Sequence, residues 1–311
     1  MRLTFRGRTA VALSALGAAG AFIVPTRAQA DNVTFSTTYV NTNLAGGEPA
    51  VIYSHKAGDL IYAAHEGTTL LYRSGYTSPS TTCDMGQAPQ GFVCSYDNQI
   101  NIWYSSDDGA TWTQSPSDIQ HAGFSDPDLA EDAGGNIYAT GIDLANDALY
   151  SSTDGGKTWP TGTTECTPGD RQWVAGGPVP GVAWLSTNTE AAGHVVYETT
   201  NAGASCMTLG LNDGGGVGPS GTVGGAYTPY GKLFYLPKHD TLIEPVQFGD
   251  GGIGFSSLAH PMQAFAAGSG TWVGHEAVTG AQSSVGSGDV LAFDSDENVY
   301  VTWATSTGSA N

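Results

Sequence analysis

Beyond residue 30 the apolar residues of this chain fall in short runs, alternating with small or polar residues and bounded by Gly, Asp or Asn. Alternation with a period of two over such lengths predicts β-strands, and no helical periodicity outlasts two turns. Five segments repeat one pattern, a turn residue followed by a strand carrying an aromatic: Asp59 to Tyr62, Gly135 to Tyr138, Gly181 to Trp184, Gly231 to Phe234 and Glu297 to Tyr300. Their aromatics stand 76, 46, 50 and 66 residues apart. An insertion holding two cysteines accounts for the long first interval. Each has a short strand upstream: Pro49 to Tyr53, Pro127 to Ala130, Gln172 to Ala175, Gly224 to Tyr227 and Asp289 to Phe293. The first three also have one downstream, at Asn101 to Tyr104, Ala148 to Tyr150 and His194 to Tyr197. Four short strands in roughly fifty residues, repeated, predict an all-β fold, a β-propeller of four-stranded blades with about five blades in view. A β-sandwich is the alternative, but it gives no reason for that recurrence.

An octapeptide follows the third strand of the early units. Ser105-Ser-Asp107-Asp-Gly109-Ala-Thr111-Trp112 and Ser152-Thr-Asp154-Gly-Gly156-Lys-Thr158-Trp159 both fit S/T-x-D-x-G-x-T-W. Thr199 to Cys206 is a third copy, with Asn201 for Asp and Cys206 for Trp. Short polar side chains bond the backbone of their own turn, Gly supplies positive φ, and Trp anchors the turn in the sheet stack. These residues serve the fold despite the acid among them. On these motifs residues 45–311 resemble the sialidase-like superfamily, whose blades carry such Asp-boxes. The resemblance implies a ring of six or seven blades and a protein acting on or binding extracellular glycans, as a glycoside hydrolase of the sialidase kind or a carbohydrate-binding relative. Asp-boxes also occur in sorting receptors and assembly factors, so the rival reading is a non-catalytic adhesion or interaction scaffold. In sialidases the boxes lie opposite the active site.

The ends of the chain add a compartment. Arg2, Arg6 and Arg8, an apolar run from Val11 to Val24 and Ala28-Gln29-Ala30 predict a secretion signal peptide over residues 1–30, with an N-terminal anchor helix as the alternative. The propeller domain is then 31–311. It stops where a fifth unit would enter its third strand, so truncation at the C-terminus is expected, or else Val33 to Val40 completes a small ring. After residue 30, six Lys or Arg face 29 Asp or Glu, which predicts no nucleic-acid partner. No later stretch is long enough for membrane insertion. The expected partner is an extracellular glycan or glycoprotein, met by a monomer. Four cysteines allow three pairings; Cys83–Cys94 within the insertion and Cys166–Cys206 across neighbouring repeats are preferred over zinc, whose usual spacings are absent.

Candidate chemistry gathers where the innermost strands begin, the end at which propellers meet ligands: Glu48, Asp126, Asp128, the run Asp170-Arg171-Gln172-Trp173, and Asp289. Arg171, Trp173 and Glu48 are candidate substrate-binding residues, since guanidinium, indole and carboxylate suit a sugar; alternatively Asp170 and Arg171 cap a turn and Trp173 fills a blade interface. Asp126, Asp128 and Asp170 are the candidate catalytic acids. Two apart on a strand, Asp126 and Asp128 would face one way and share a metal or a proton. Sialidases are similar to one another in an arginine triad, a Tyr nucleophile paired with Glu, and an Asp acid/base. Only Arg73 and Arg171 follow residue 30, so the triad is not present in this chain, and Asp126 with Asp128 is instead a candidate carboxylate pair for the hydrolysis of neutral glycans. The histidines show no metal spacing. Asp213 to Gly218 reads as a loop between blades. The acid-rich turn Asp294 to Glu297 reads as solvated, with calcium the alternative, so no cofactor is expected.

Overall fold

The computed structural model describes residues 36–41, 47–65, 100–116, 125–142, 147–167, 169–189, 193–212, 227–229, 231–268, 270–280 and 290–304. The chain divides into two compact units, Met1–Tyr39 and Val40–Asn311. Of the first, only residues 36–39 are described, exposed and outside any strand or helix. The leader, Arg73, Cys83, Cys94, Asp213 to Gly218 and Asp289 lie outside the described residues.

Among its described residues the second unit holds five antiparallel sheets. β1 (Gly47–Tyr53), β2 (Leu60–His65), β3 (Ile100–Ser105) and β4 (Thr113–Gln114) pair in chain order. So do β5 (Ser125–Glu131), β6 (Ile137–Ile142), β7 (Asp147–Ser152) and β8 (Thr161–Thr167), and then β9 (Asp170–Gly176), β10 (Ala183–Thr189), β11 (Gly193–Thr199) and β12 (Met207–Leu211). In the fourth sheet β13 (Tyr227–Pro229) and β14 (Phe234–Leu236) both pair with β15 (Thr241–Phe248), which leads to β16 (Ile253–Ala259), helix α1 (Pro261–Ala267) and β17 (Val273–Val278). β18 (Val290–Phe293) and β19 (Val299–Thr302) form a two-stranded fifth sheet. Successive four-stranded meanders stacked in chain order are the blades of a β-propeller.

The fourth blade corrects one expectation. The segment Gly231 to Phe234 is not its second strand. Phe234 opens β14, which lies on the same side of β15 as β13, so the innermost position is filled by two short pieces. The second strand is β15. The pattern of turn residue and aromatic recurs here at the wrong strand because the split inner strand supplies its own turn.

Apolar side chains fill the seams between blades. Ile61, Ile102 and Ala63 of blade 1 pack with Leu129, Ile137 and Ala139 of blade 2. Tyr138 and Leu149 of blade 2 pack with Val174, Leu185 and Val195 of blade 3. Trp184 and Val196 of blade 3 pack with Leu233, Leu242 and Leu258 of blade 4, beside Phe265 of α1. Thus on β6 Ile137 and Ala139 face one seam and Tyr138 the other, and all six residues are buried. Period-two alternation makes one strand serve two interfaces. Tyr300 holds the place of Tyr138 in blade 5, where it is 54% exposed instead of 0%.

The octapeptides fold as expected. In the first, Gly109 N donates to Ser105 Oγ (2.9 Å), while Thr111 N and Oγ1 donate to the two oxygens of Asp107 (2.8 and 2.7 Å). The second repeats these bonds among Ser152, Asp154, Gly156 and Thr158. Bonds from the Thr111 hydroxyl and amide hold Asp107 below the usual carboxylate range. Partial burial opposes the same effect at Asp154, but the Thr158 bonds prevail. Gly156 has φ 80°, and a Cβ there would meet Ile61 of blade 1 at 2.9 Å. Trp159 is 3% exposed in the seam between blades 1 and 2. In the third copy Cys206 stands where the indole would be and bonds to Cys166 on β8, as the sequence predicted, with Cα atoms 5.2 Å apart. Trp112 is half-buried, packed edge-on against Tyr62.

Polar contacts staple the same seams. Glu131 accepts from Ser54 Oγ (2.7 Å) and His55 N (2.8 Å) in the turn of blade 1. Glu297 does the same with Lys238 N and His239 Nδ1 of blade 4. Asp294 accepts from Asn298 N and Nδ2 in its own turn, so the acid-rich segment uses these carboxylates within the protein. No group of three His, Cys, Asp or Glu among the described residues is placed to hold a metal.

Trp159→Ala is expected to cost about 3–5 kcal/mol of unfolding free energy, and Trp112→Ala clearly less. Urea unfolding of the two variants checks this, and equal losses would contradict the seam role of Trp159.

Candidate functional site

In a four-stranded meander the first strands of all blades begin at one end, opposite the turns between third and fourth strands. β1, β5 and β9 therefore open at the mouth away from the octapeptides. At each opening a non-glycine residue has left-handed backbone: Glu48 (φ 47°), Asp126 (φ 51°) and Arg171 (φ 59°). Register shifts accompany them, between Gly47 and Ala50, between Ser125 and Asp128, and opposite β9 between Ser186 and Asn188. Bulges of this kind re-aim side chains, and left-handed non-glycine backbone costs roughly 1–3 kcal/mol per residue, so it persists only where the surroundings enforce it.

The surroundings here are one another. Asp126 N donates to Glu48 Oε2 (2.9 Å), and Gln172 Nε2 donates to the Asp126 carbonyl (2.7 Å). Burial raises the Asp126 carboxyl to about 7, helped by the charge of Glu48 and a side-chain hydrogen bond with it, then by Asp170, and opposed by Arg171. The structure thus gathers Glu48, Asp126, Asp170 and Arg171. This is a carboxyl pair whose buried member is raised toward neutrality, with a third acid and a guanidinium beside it.

Two of the predicted residues serve elsewhere. Asp128 does not join Asp126, because the bulge between them breaks the alternation that would align their side chains. Its carboxylate is 5% exposed and accepts from Lys232 Nζ at 2.6 and 2.7 Å and from Val174 N at 2.9 Å. Trp173 packs against the seam between blades 3 and 4, the interface-filling alternative to sugar binding. Lys232 was missed by sequence reasoning, and nothing local marks it, since its partner is 104 positions away. A buried set also went unseen: His194 Nε2 meets Glu244 (3.0 Å), which accepts from Ser186 and Asn212 across the seam between blades 3 and 4. The opposite mouth holds a cavity of about 330 Å³ lined by His55, Lys56, Glu131, Asp132, Tyr235 and Pro237 among others. There Glu131 and Asp132 are already bonded by turn amides and hydroxyls.

No protein-family model matches the sequence, and no curated protein matches it. Solved structures do. A Hadza microbial sialidase is similar at 16% identity and TM-score 0.38, over 68% of this chain and 45% of its own. An α-L-arabinanase from Penicillium chrysogenum is similar at 14% identity and TM-score 0.38, over 74% and 68%. The NanB sialidase of Streptococcus pneumoniae is similar at 12% identity and TM-score 0.39, over 71% and 48%. The chain spans less than half the length of these two sialidase chains. Likenesses this distant carry no argument about activity, and the chain is a β-propeller by its own sheets.

The raised carboxyl has a consequence for stability. The folded state keeps the Asp126 proton up to about pH 7, whereas an unfolded Asp loses it near pH 4. Stability attributable to this group therefore falls as pH rises from about 4 through 7. Asp126→Asn is expected to raise the melting temperature at pH 8 relative to the native chain and to leave it unchanged at pH 4. Calorimetry at the two pH values checks the sign.

Proposed function

We propose that this chain is a secreted glycoside hydrolase that cleaves neutral glycans at the mouth where β1, β5 and β9 begin. The observation that carries the reading is the meeting of Asp126 with Glu48, whose Oε2 accepts from the Asp126 amide, at a buried mouth that raises the Asp126 carboxyl to about 7, with Arg171 close by. Glycosidases of the usual kind need one carboxyl kept protonated at working pH and a second kept ionised. Asp126 is the general acid. Its proton passes to the glycosidic oxygen as the bond to the anomeric carbon breaks, and Glu48 or Asp170 stabilises the positive charge developing on the sugar ring. Water adds to that carbon, and its proton restores Asp126. Arg171, exposed at the rim, grips substrate hydroxyls. The predicted leader and the Cys166–Cys206 bridge support export, where the partner is an extracellular glycan or glycoprotein met by a monomer.

The rival reading is a non-catalytic scaffold. It draws on Trp173, whose indole packs between blades rather than offering a stacking platform for sugar. Kinetics separates the two. Against a panel of fluorogenic neutral glycosides the full chain should turn over at least one, with activity falling as pH rises through about 7. Asp126→Asn should lower kcat by about 10²–10⁴, and Arg171→Ala should raise KM. A panel with no turnover, or Asp126→Asn as active as the native chain, would sink the hydrolase reading.

A further inference from the structure

We propose that Lys232, reaching from blade 4 to blade 2, is a positioning residue that holds the start of β5 in the bent conformation setting Asp126 against Glu48. The inference rests on Asp126 being the working acid. Its ground is a set of contacts that no single blade supplies. The inner strand of blade 4 is interrupted between β13 and β14, and Gly231 to Leu233, within that interruption, lie outside any strand. Leu233 is fully buried in the seam between blades 3 and 4, while Lys232 extends to blade 2. Its ammonium has three donors, and three acceptors meet them: Asp128 Oδ1 (2.6 Å), Asp128 Oδ2 (2.7 Å) and the Leu129 carbonyl (2.9 Å).

These acceptors stand two and three residues after Asp126 on β5. Asp126 itself is held by Glu48 through its amide and by Gln172 through its carbonyl, and Asp128 also accepts from Val174 N. Blades 1, 3 and 4 thus hold three residues of β5, Asp126, Asp128 and Leu129, of which Asp126 is left-handed. Without the ammonium, Asp128 is a buried carboxylate bonded by one amide. It is then driven to turn toward water, and β5 relaxes toward a regular strand that carries Asp126 away from Glu48. Charged groups around Asp126 are Glu48 on β1, Asp170 and Arg171 on β9, and the Asp128–Lys232 pair beside it.

The test uses the full chain with Lys232→Met, Lys232→Arg and the double variant Asp128→Asn/Lys232→Met, which leaves no unpaired buried charge if the single change fails to fold. Carbon-detected NMR titration of the Asp126 carboxyl and steady-state kinetics are read on each. In Lys232→Met and the double variant the Asp126 midpoint should fall by about one pH unit, and kcat should drop about tenfold or more with KM little changed, the pattern of a misplaced catalytic group. Lys232→Arg should restore most of both. A lower melting temperature with the Asp126 midpoint unmoved would reduce Lys232 to a structural staple and overturn the proposal. If the native chain hydrolyses nothing, the titration still decides the positioning role, so the two readings fail separately.

Discussion

The structure depends on a packing requirement: an inner blade must be apolar on both faces at once. A sheet between two neighbours has no solvent side, so its alternating side chains feed two seams. β6 and β7 meet this with Ile137, Ala139, Ala148 and Tyr150 toward blade 1 and Tyr138 and Leu149 toward blade 3. Where a neighbour is absent from the described structure the same positions lie open, as Val51 on β1 and Tyr300 on β19 do.

Apolar packing alone does not fix how far one blade is rotated against the next, and the polar staples supply that. The second and third octapeptide turns each rest on the blade before them. Ser115 of blade 1 donates to the Gly156 carbonyl, and Ser151 of blade 2 to the Ala202 carbonyl at 2.6 Å. The third copy shows what the anchor is for. Once Trp is replaced by Cys206, a covalent bond to Cys166 in the preceding blade does the work that Trp159 does by burial. Asn201 keeps the turn, accepting from Ser205 N as Asp154 does from Thr158 N. Loss of the acid's charge therefore leaves the hairpin intact, consistent with a structural motif.

The same logic of seams explains why the candidate site has its electrostatic character. The inner strands converge on the axis, so the first residues of β1, β5 and β9 are crowded together whatever their chemistry. Burial of Asp126 there raises its carboxyl first, and the like charges of Glu48 and Asp170, in a chain with so few cations, raise it further. Arg171 moderates this without cancelling it. At the opposite mouth, Glu131 and Asp132 are ringed by turn donors and spent on the fold.

Strand period, turn chemistry and the octapeptides are local properties, and the sequence by itself determined them. It gave the four-stranded repeat, the hairpins around Asp107 and Asp154, and the Cys166–Cys206 bridge implied by adjacent repeats. A further local signal was there to be read, since Asp132, Asn136 and Tyr138 recur as Asp294, Asn298 and Tyr300 with the same turn bonds. Which side chains meet at the axis was decided only in three dimensions. Ideal alternation pairs Asp126 with Asp128, but a bulge at the mouth turns them apart. Asp126 then meets Glu48, 78 positions away, and Asp128 meets Lys232, 104 positions away. A bulge answers to the crowding of strands from several blades, a force that no window of neighbouring residues contains.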